Sequence, residues 1–536
     1  MSIKRTALSV VLISVCFLAA SCQTVSLGPE RPTGALSDAA APAAEPAQKQ
    51  PPAVAQPAPP AGPLEVGVQD SILLALENNQ GLVLERLNPE ITRTFENEQE
   101  AAFDPTLSGQ VAAGRTEAAA RPSNGPGVTE STVNDVSGGV ALAKTLPSGT
   151  QIGVQGSSEF NDSSLYSDQL VSSRLGLSVT QALLKGAGSS VNLASVRQAR
   201  LDTLVSEYEL RGFTEDLVAR SEETYWDYVL AQRQIEIYTE SLSLAEKQLA
   251  DTLEQIKVGL LAESESAAAR AEVALRKQDL IIARGNLSTT HLRLLRLLNP
   301  PDGNWSREIT PRNQPAVPDA KLDDVGSHVD VALRMRPDLN QALLAGERGD
   351  LELVKTKNGL LPKMDLFISL GGTGYSDSFG SSLASHEASG FDVLAGLRME
   401  YPLGNRAARA RHERATLGRL QATEAVKNLE QLIQVDVRSA YVQVNSAKEQ
   451  VAATAASRVA QDENVRAETE KFKVGKSTSL LVAHAQRDLV AARIAEIQTV
   501  VNYLKSLVEL YRLEGSLLER RGISAPGREP AERPLE

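Results

Sequence analysis

Ile256, Lys257, Val258, Gly259, Leu260 and Phe472, Lys473, Val474, Gly475, Lys476 are one short stretch written twice, 474 − 258 = 216 residues apart. Around it, Tyr225, Ala231 and Asn286 recur as Tyr441, Ala447 and Asn502 at the same offset. Gly176, Leu177 and Leu183 recur as Gly396, Leu397 and Leu403 at 396 − 176 = 220. Ala75, Leu76, Leu82 and Pro105 recur as Ala332, Leu333, Leu339 and Pro362 at 332 − 75 = 257. An offset that falls in two steps marks a duplicated unit over about 66–515, with 257 − 220 = 37 extra residues in the first copy.

Each copy has room for a very long helix, because no proline occurs between Pro147 and Pro300 or between Pro402 and Pro526. Tyr228, Ala231, Ile235, Tyr238, Leu242, Ala245, Leu249 and Thr252 follow a 3-4 spacing, as do Val437, Ala440, Val444, Ala447, Val451 and Thr454. That is coiled-coil periodicity, with small seam residues that let helices approach closely. Helices over 189–258 and 405–474 would each span roughly 105 Å. Shorter helical patterns over 68–103, 262–298, 324–360 and 478–513 are about half as long, so two stacked end to end can flank one rod. Between the first short helix and the rod of each copy the period changes to two. Val393, Ala395, Leu397, Met399 and Tyr401 alternate with Leu394, Gly396, Arg398 and Glu400, and Leu175, Leu177 and Val179 alternate with Arg174, Gly176, Ser178 and Thr180. Strands of about ten residues with one apolar face suit a tilted membrane-spanning sheet, although a soluble sandwich alternates too. The first copy adds a hairpin, with Val140 and Leu142 before a turn at Leu146, Pro147, Ser148, Gly149 and Ile152 and Val154 after it.

Of the 536 residues only 4% are aromatic, few for one large compact core. Residues 1–21 read as an export signal, with Lys4 and Arg5 ahead of an apolar run too short to span a membrane. Its loss takes the charge from −12 to −14, and an acidic exported chain is a poor nucleic-acid binder. Ala19, Ala20, Ser21, Cys22 resembles a bacterial lipobox, and ordinary cleavage after Ser21 is the alternative. Acylated Cys22 followed by Gln23 would place the chain at the outer membrane. The Ala- and Pro-rich segment 22–65 reads as a tether. The remaining boundaries are a first repeat over 66–300 with strands within about 106–183, a linker over 301–320, a second repeat over 321–515 with strands within about 363–402, and a tail over 516–536.

No catalytic pattern emerges, and no cofactor or metal is expected. Cys16 and Cys22 both lie in the leader region, and His291, His328, His386, His412 and His484 are scattered without ligand spacing. Gly475, Lys476, Ser477, Thr478 imitates the end of a phosphate-binding loop, but Glu470 stands where that motif needs glycine, and a helix precedes it instead of a strand.

With its duplicated order of landmarks, the chain resembles the TolC family of outer-membrane efflux proteins. They are Ala75, Leu76, Glu77, Asn78, Asn79; Leu183, Leu184 with Gly186 and Gly188; Tyr401, Pro402, Leu403; and the two Val-Gly stretches. The resemblance implies a mainly helical fold with membrane β structure, four strands per subunit, and a homotrimer. Three subunits would close a twelve-stranded barrel above a periplasmic tunnel in the outer membrane of a Gram-negative bacterium. It implies a passive duct of a tripartite efflux or type I secretion system, working with a periplasmic adaptor and an inner-membrane transporter of the RND, ABC or MFS type. Val258, Gly259 and Leu260, with Val474, Gly475 and Lys476, would dock the adaptor. At the family's gate positions stand Glu265, Ser477, Leu481 and His484, of which Glu265 alone keeps the family chemistry. An apolar constriction at Leu481 beside a titratable His484 is the narrower expectation. The rival reading is a lipid-anchored periplasmic coiled-coil protein without a pore.

Overall fold

The computed structural model describes residues 63–120, 129–163, 170–300, 305–318, 322–384, 390–527 and 529–531. The expected signal peptide, Cys22 and nearly all of the segment read as a tether lie outside the described residues.

The first short helical pattern divides into α1 (Val68–Asn78), α2 (Gln80–Glu85) and α3 (Leu87–Glu100). Its counterpart in the second copy divides into α7 (Val325–Met335) and α8 (Pro337–Gly359). Both copies break at the same repeat position, 336 − 79 = 257, where Asn79 (φ −68°, ψ 117°) and Arg336 (φ −63°, ψ 123°) are extended. The causes differ. Asn79 accepts from Leu82 N and so starts a new helix, whereas Arg336 precedes a proline, which disfavours helical backbone. The rods are α5 (Ala194–Lys257), entered through the single turn α4 (Ser189–Asn192), and α10 (Arg406–Lys473). They return as α6 (Glu265–Leu298) and α11 (Ser479–Leu513).

The helices form one layer. At the sheet end, α3 packs on α5, α8 lies between α5 and α10, and α10 is the far edge. At the other end α6 replaces α3 and α11 replaces α8. None of the eight α5 seam positions is exposed, and Val437, Ala440, Val444 and Ala447 of α10 are buried. Three aromatics sit where the half-length helices meet. Tyr225, Trp226 and Tyr228 pack with Leu294, Leu295, Leu298 and Val501. Beside them β1 (Leu64–Val66) pairs in parallel with β6 (Ile309–Pro311), a strand inside the segment that reads as linker in the sequence. Tyr225 Oη donates to Val66 O (3.2 Å), and Tyr228 Oη donates to Ile309 O (2.8 Å), so the aromatic core holds both strands.

Six strands make one antiparallel sheet in the order β2 (Thr106–Ala120), β3 (Thr129–Thr145), β4 (Thr150–Ser163), β5 (Leu170–Ala182), β7 (Lys363–Ser376), β8 (Phe391–Glu400). Pro105 and Pro362 stand immediately before β2 and β7, at the switch from helix to strand. The expected four strands per subunit are therefore corrected to six. The 17-residue β3 and 14-residue β4 take up most of the first copy's surplus, and they lie within the sheet instead of beyond its end.

The described residues after 515 pack onto the helices. Leu517 and Leu518 of α12 (Leu517–Arg520) are fully buried, and Ala531 N donates to Asn340 Oδ1 at 2.8 Å. Gly515 makes the turn at φ +71°, where a Cβ would lie 3.0 Å from the Arg336 backbone.

Candidate functional site

The rods end in identical caps. Gly259 N donates to Ile256 O (3.0 Å) and Leu260 N to Gln255 O (2.9 Å); Gly475 N donates to Phe472 O (3.0 Å) and Lys476 N to Lys471 O (2.8 Å). This pair of bonds is the Schellman arrangement, which needs a left-handed residue after the helix. Gly259 (φ +81°) and Gly475 (φ +72°) supply it, and nothing lies within 4 Å of where a Cβ would stand. The glycines are thus required by backbone conformation, not by close packing. Around them Val258, Leu260 and Val474 are exposed, Leu260 to 75%, and Lys476 is exposed as well. Two apolar knobs at open helix ends have no partner among the described residues.

The gate-position residues separate into distinct environments. Glu265, the first residue of α6, accepts a hydrogen bond from the buried Ser479 Oγ at the start of α11, tying one hairpin to the other. Ser477 Oγ donates to Glu468 Oε2 (2.7 Å), across its own turn. Lys471, and then Ser477, hold the Glu468 carboxyl below the usual range. Leu481 and His484 are both exposed and lie one helical turn apart on α11. The structure therefore brings Glu265 together with Ser479, a residue absent from the sequence-based site and visible only once the hairpins lie side by side. Glu265→Ala is expected to loosen this joint by about 1.5–3 kcal/mol, the range for a hydrogen bond to a charged group. Faster amide exchange over 261–268 and 477–482, with protection at the α5 midpoint unchanged, is the readout.

At the far end the sheet presents two unlike faces. Leu107, Leu142, Val154, Leu177, Leu370 and Val393 are paired neighbours in one row across all six strands. All are exposed, from 39% at Leu177 to 71% at Leu107. The adjoining row on the opposite face is Ser108, Ala141, Gln155, Gly176, Gly371 and Asp392, small or polar throughout. Arg174 and Asp392 form an ion pair of 2.7 Å on that face. The short helix α9 (Phe379–Ala384) covers one end of the apolar face, where Ser173 Oγ and Ser382 Oγ lie 2.6 Å apart. A continuous exposed apolar band of this kind is foreign to a water-soluble sheet. No helix among the described residues is long and apolar enough to cross a membrane.

A second feature missed in the sequence is the stripe Leu84, Leu87, Ile91 and Phe95 on α2 and α3, exposed at 3-4-4 spacing along one lateral edge. Its signal was present in the spacing itself. On the opposite edge, α10 exposes Leu417, Leu420, Leu432, Val435 and Val442.

Residues 329–516 match the family model described as outer membrane efflux protein. The fold of the chain is TolC-like. It superposes on the outer membrane channel CmeC of Campylobacter jejuni (TM-score 0.63, 17% identity, 84% of this chain and 86% of that one). The open-state MtrE outer membrane channel of Neisseria gonorrhoeae gives a TM-score of 0.59 at 19% identity, over 84% and 89% of the two chains. The outer membrane protein VceC of Vibrio cholerae gives 0.61 at 14%, over 84% and 96%. No protein in the comparison with curated sequences matches. At these identities the likeness establishes the TolC-like architecture across both repeats.

Proposed function

We propose that the chain is one subunit of a homotrimeric, passive exit duct in the outer membrane, serving a tripartite efflux or type I secretion system. The observation that carries this reading is the exposed apolar face of the sheet, which only lipid covers without cost. The lateral edges support assembly. One edge carries the free side of β2 and the apolar stripe of α3; the other carries the free side of β8 and the apolar positions of α10. The two edges differ, so copies associate head to tail, and a head-to-tail contact that closes makes a ring. Three copies would bring six Val-Gly tips to the open end, where Val258, Leu260 and Val474 offer apolar knobs to the hairpins of a periplasmic adaptor. Energy would come from the inner-membrane transporter of the RND, ABC or MFS type. Acylation of Cys22 would add a lipid anchor to the assembled barrel.

The rival, a lipid-anchored spacer without a pore, leaves the six-stranded apolar face in water. Purified protein is expected to run as a heat-modifiable trimer and to give discrete conductance steps in planar bilayers. A monomer that leaves bilayers silent would overturn the duct. The double variant Val258→Asp, Val474→Asp is expected to keep trimer and conductance while abolishing export in cells, because a carboxylate at each knob cannot be desolvated against an apolar adaptor surface. Undiminished export would remove the tips from the docking surface.

A further inference from the structure

The hairpin β3–β4 has no counterpart in the second copy, and its position decides how wide the membrane section is. Were it an extramembrane flap, β2 would pair directly with β5, as β7 pairs with β8 in the second repeat. Instead β2 pairs with β3 over 15 residues and β4 pairs with β5 over 12, and the hairpin is stitched into the sheet along its length. Its residues carry the same two-faced pattern in the same register. Leu142 and Val154 continue the apolar row from Leu107 to Leu177, while Ala141 and Gln155 continue the small, polar row from Ser108 to Gly176. Two added strands also preserve parity. With six antiparallel strands, β2 and β8 run in opposite directions, so β8 of one copy meets β2 of the next as an antiparallel pair.

On the trimeric duct reading, we propose that β3 and β4 are full staves of the membrane wall, so that three copies close a barrel of 3 × 6 = 18 strands. Barrel diameter grows roughly in proportion to strand number, so the outer-membrane bore is about 1.5 times that of a twelve-stranded barrel. Closure is compulsory in lipid, because a free strand edge there leaves amide and carbonyl groups without partners. With the outer section widened, passage is restricted at the helical end, and the barrel admits any solute that the tips release.

Single cysteines test this, since the only native cysteines are Cys16 and Cys22. Full-length variants Leu142→Cys, Val154→Cys, Gln155→Cys, Leu370→Cys and Leu397→Cys, each labelled with an environment-sensitive fluorophore in phosphatidylethanolamine/phosphatidylglycerol vesicles, are compared with the unsubstituted chain as background. Probes at 142 and 154 are expected to be quenched several-fold more by a bilayer-resident nitroxide lipid than by aqueous iodide, matching 370 and 397, with the order reversed at 155. Aqueous quenching at 142 and 154 with lipid quenching retained at 370 and 397 would overturn the eighteen-strand wall and leave the duct standing. Aqueous quenching at all five positions would overturn the duct itself. Strand count in images of the detergent-solubilised trimer gives an independent reading, in which eighteen supports the proposal and twelve rejects it.

Discussion

Leu177→Arg is expected to remove the protein from the outer membrane, whereas Ser178→Arg, one residue along, is expected to leave assembly intact. Leu177 is a central member of the apolar row, paired with Val154 on one side and Leu370 on the other. An arginine on the lipid face near the bilayer midplane costs about 2–4 kcal/mol, and a trimer carries the substitution three times, for a total of roughly 6–12 kcal/mol. That is comparable to the whole stability of an ordinary domain. Ser178 points to the opposite face, where its hydroxyl approaches Gly153 O (3.4 Å) and where an added guanidinium remains in water. Successive strand residues alternate faces, so the neighbouring pair isolates orientation from everything else. The amount of heat-modifiable trimer in outer-membrane fractions is the measurement. Equal loss for both variants would mean that the apolar face does not meet lipid.

Arg211→Ala is the second large effect, and it acts at the other end of the covalent chain. Arg211, 1% exposed on α5, donates to Glu519 Oε1 (2.7 Å) and Gly515 O (3.1 Å), with Glu215 Oε1 3.3 Å from its Nε. Nearby, Arg521 clasps Glu222 through two bonds of 2.9 and 2.7 Å, and the buried Glu514 meets His328 and Arg520. Together these pairs lock the C-terminal segment across α5 and α7. Removing the buried cation leaves Glu215 and Glu519 facing each other with their compensating charge gone, a loss of about 3–5 kcal/mol. Burial already pushes the Glu215 carboxyl up to about 8, against the opposing pull of Arg211. A raised folded-state pKa means the folded chain binds more protons than the unfolded one between the two values, so stability falls as pH rises through that window. The variant is therefore expected to be most destabilised near pH 9 and partly recovered near pH 5. Thermal melts at the two pH values, with amide exchange over 514–527, report it. A pH-independent loss would assign Arg211 a packing role only.

Much of this molecule is legible in its sequence. The 3-4 seams of α5 and α10 and the proline-free intervals pointed to both rods, because a long helix depends on local periodicity that no distant contact needs to supply, although α5 starts at Ala194 behind a separate turn instead of at 189. The Val-Gly stretches announced their turns for the same reason, since only glycine takes a positive φ without strain. The break at Arg336 was written in Pro337, yet its twin at Asn79 was hidden, because an asparagine cap competes with helix only when its side chain finds Leu82 N. Three-residue strands such as β1 and β6 carry no periodic signal, and their pairing joins residues 245 apart by subtraction of 64 from 309. Glu265 could be placed at a tip, but Ser479 could not be chosen as its partner without knowing that α11 lies on α5.

By itself the chain's duplicated, alternating pattern determined the elements: two long rods, their half-length companions, and strands with one apolar face. Which strands stand side by side, and hence that the added hairpin widens the sheet instead of hanging from it, was decided only by tertiary structure. The reason is physical. Side-chain alternation is identical for a stave and a flap, and what separates them is the set of backbone hydrogen bonds between strands distant in sequence, a choice every strand's amide groups leave open until the sheet assembles.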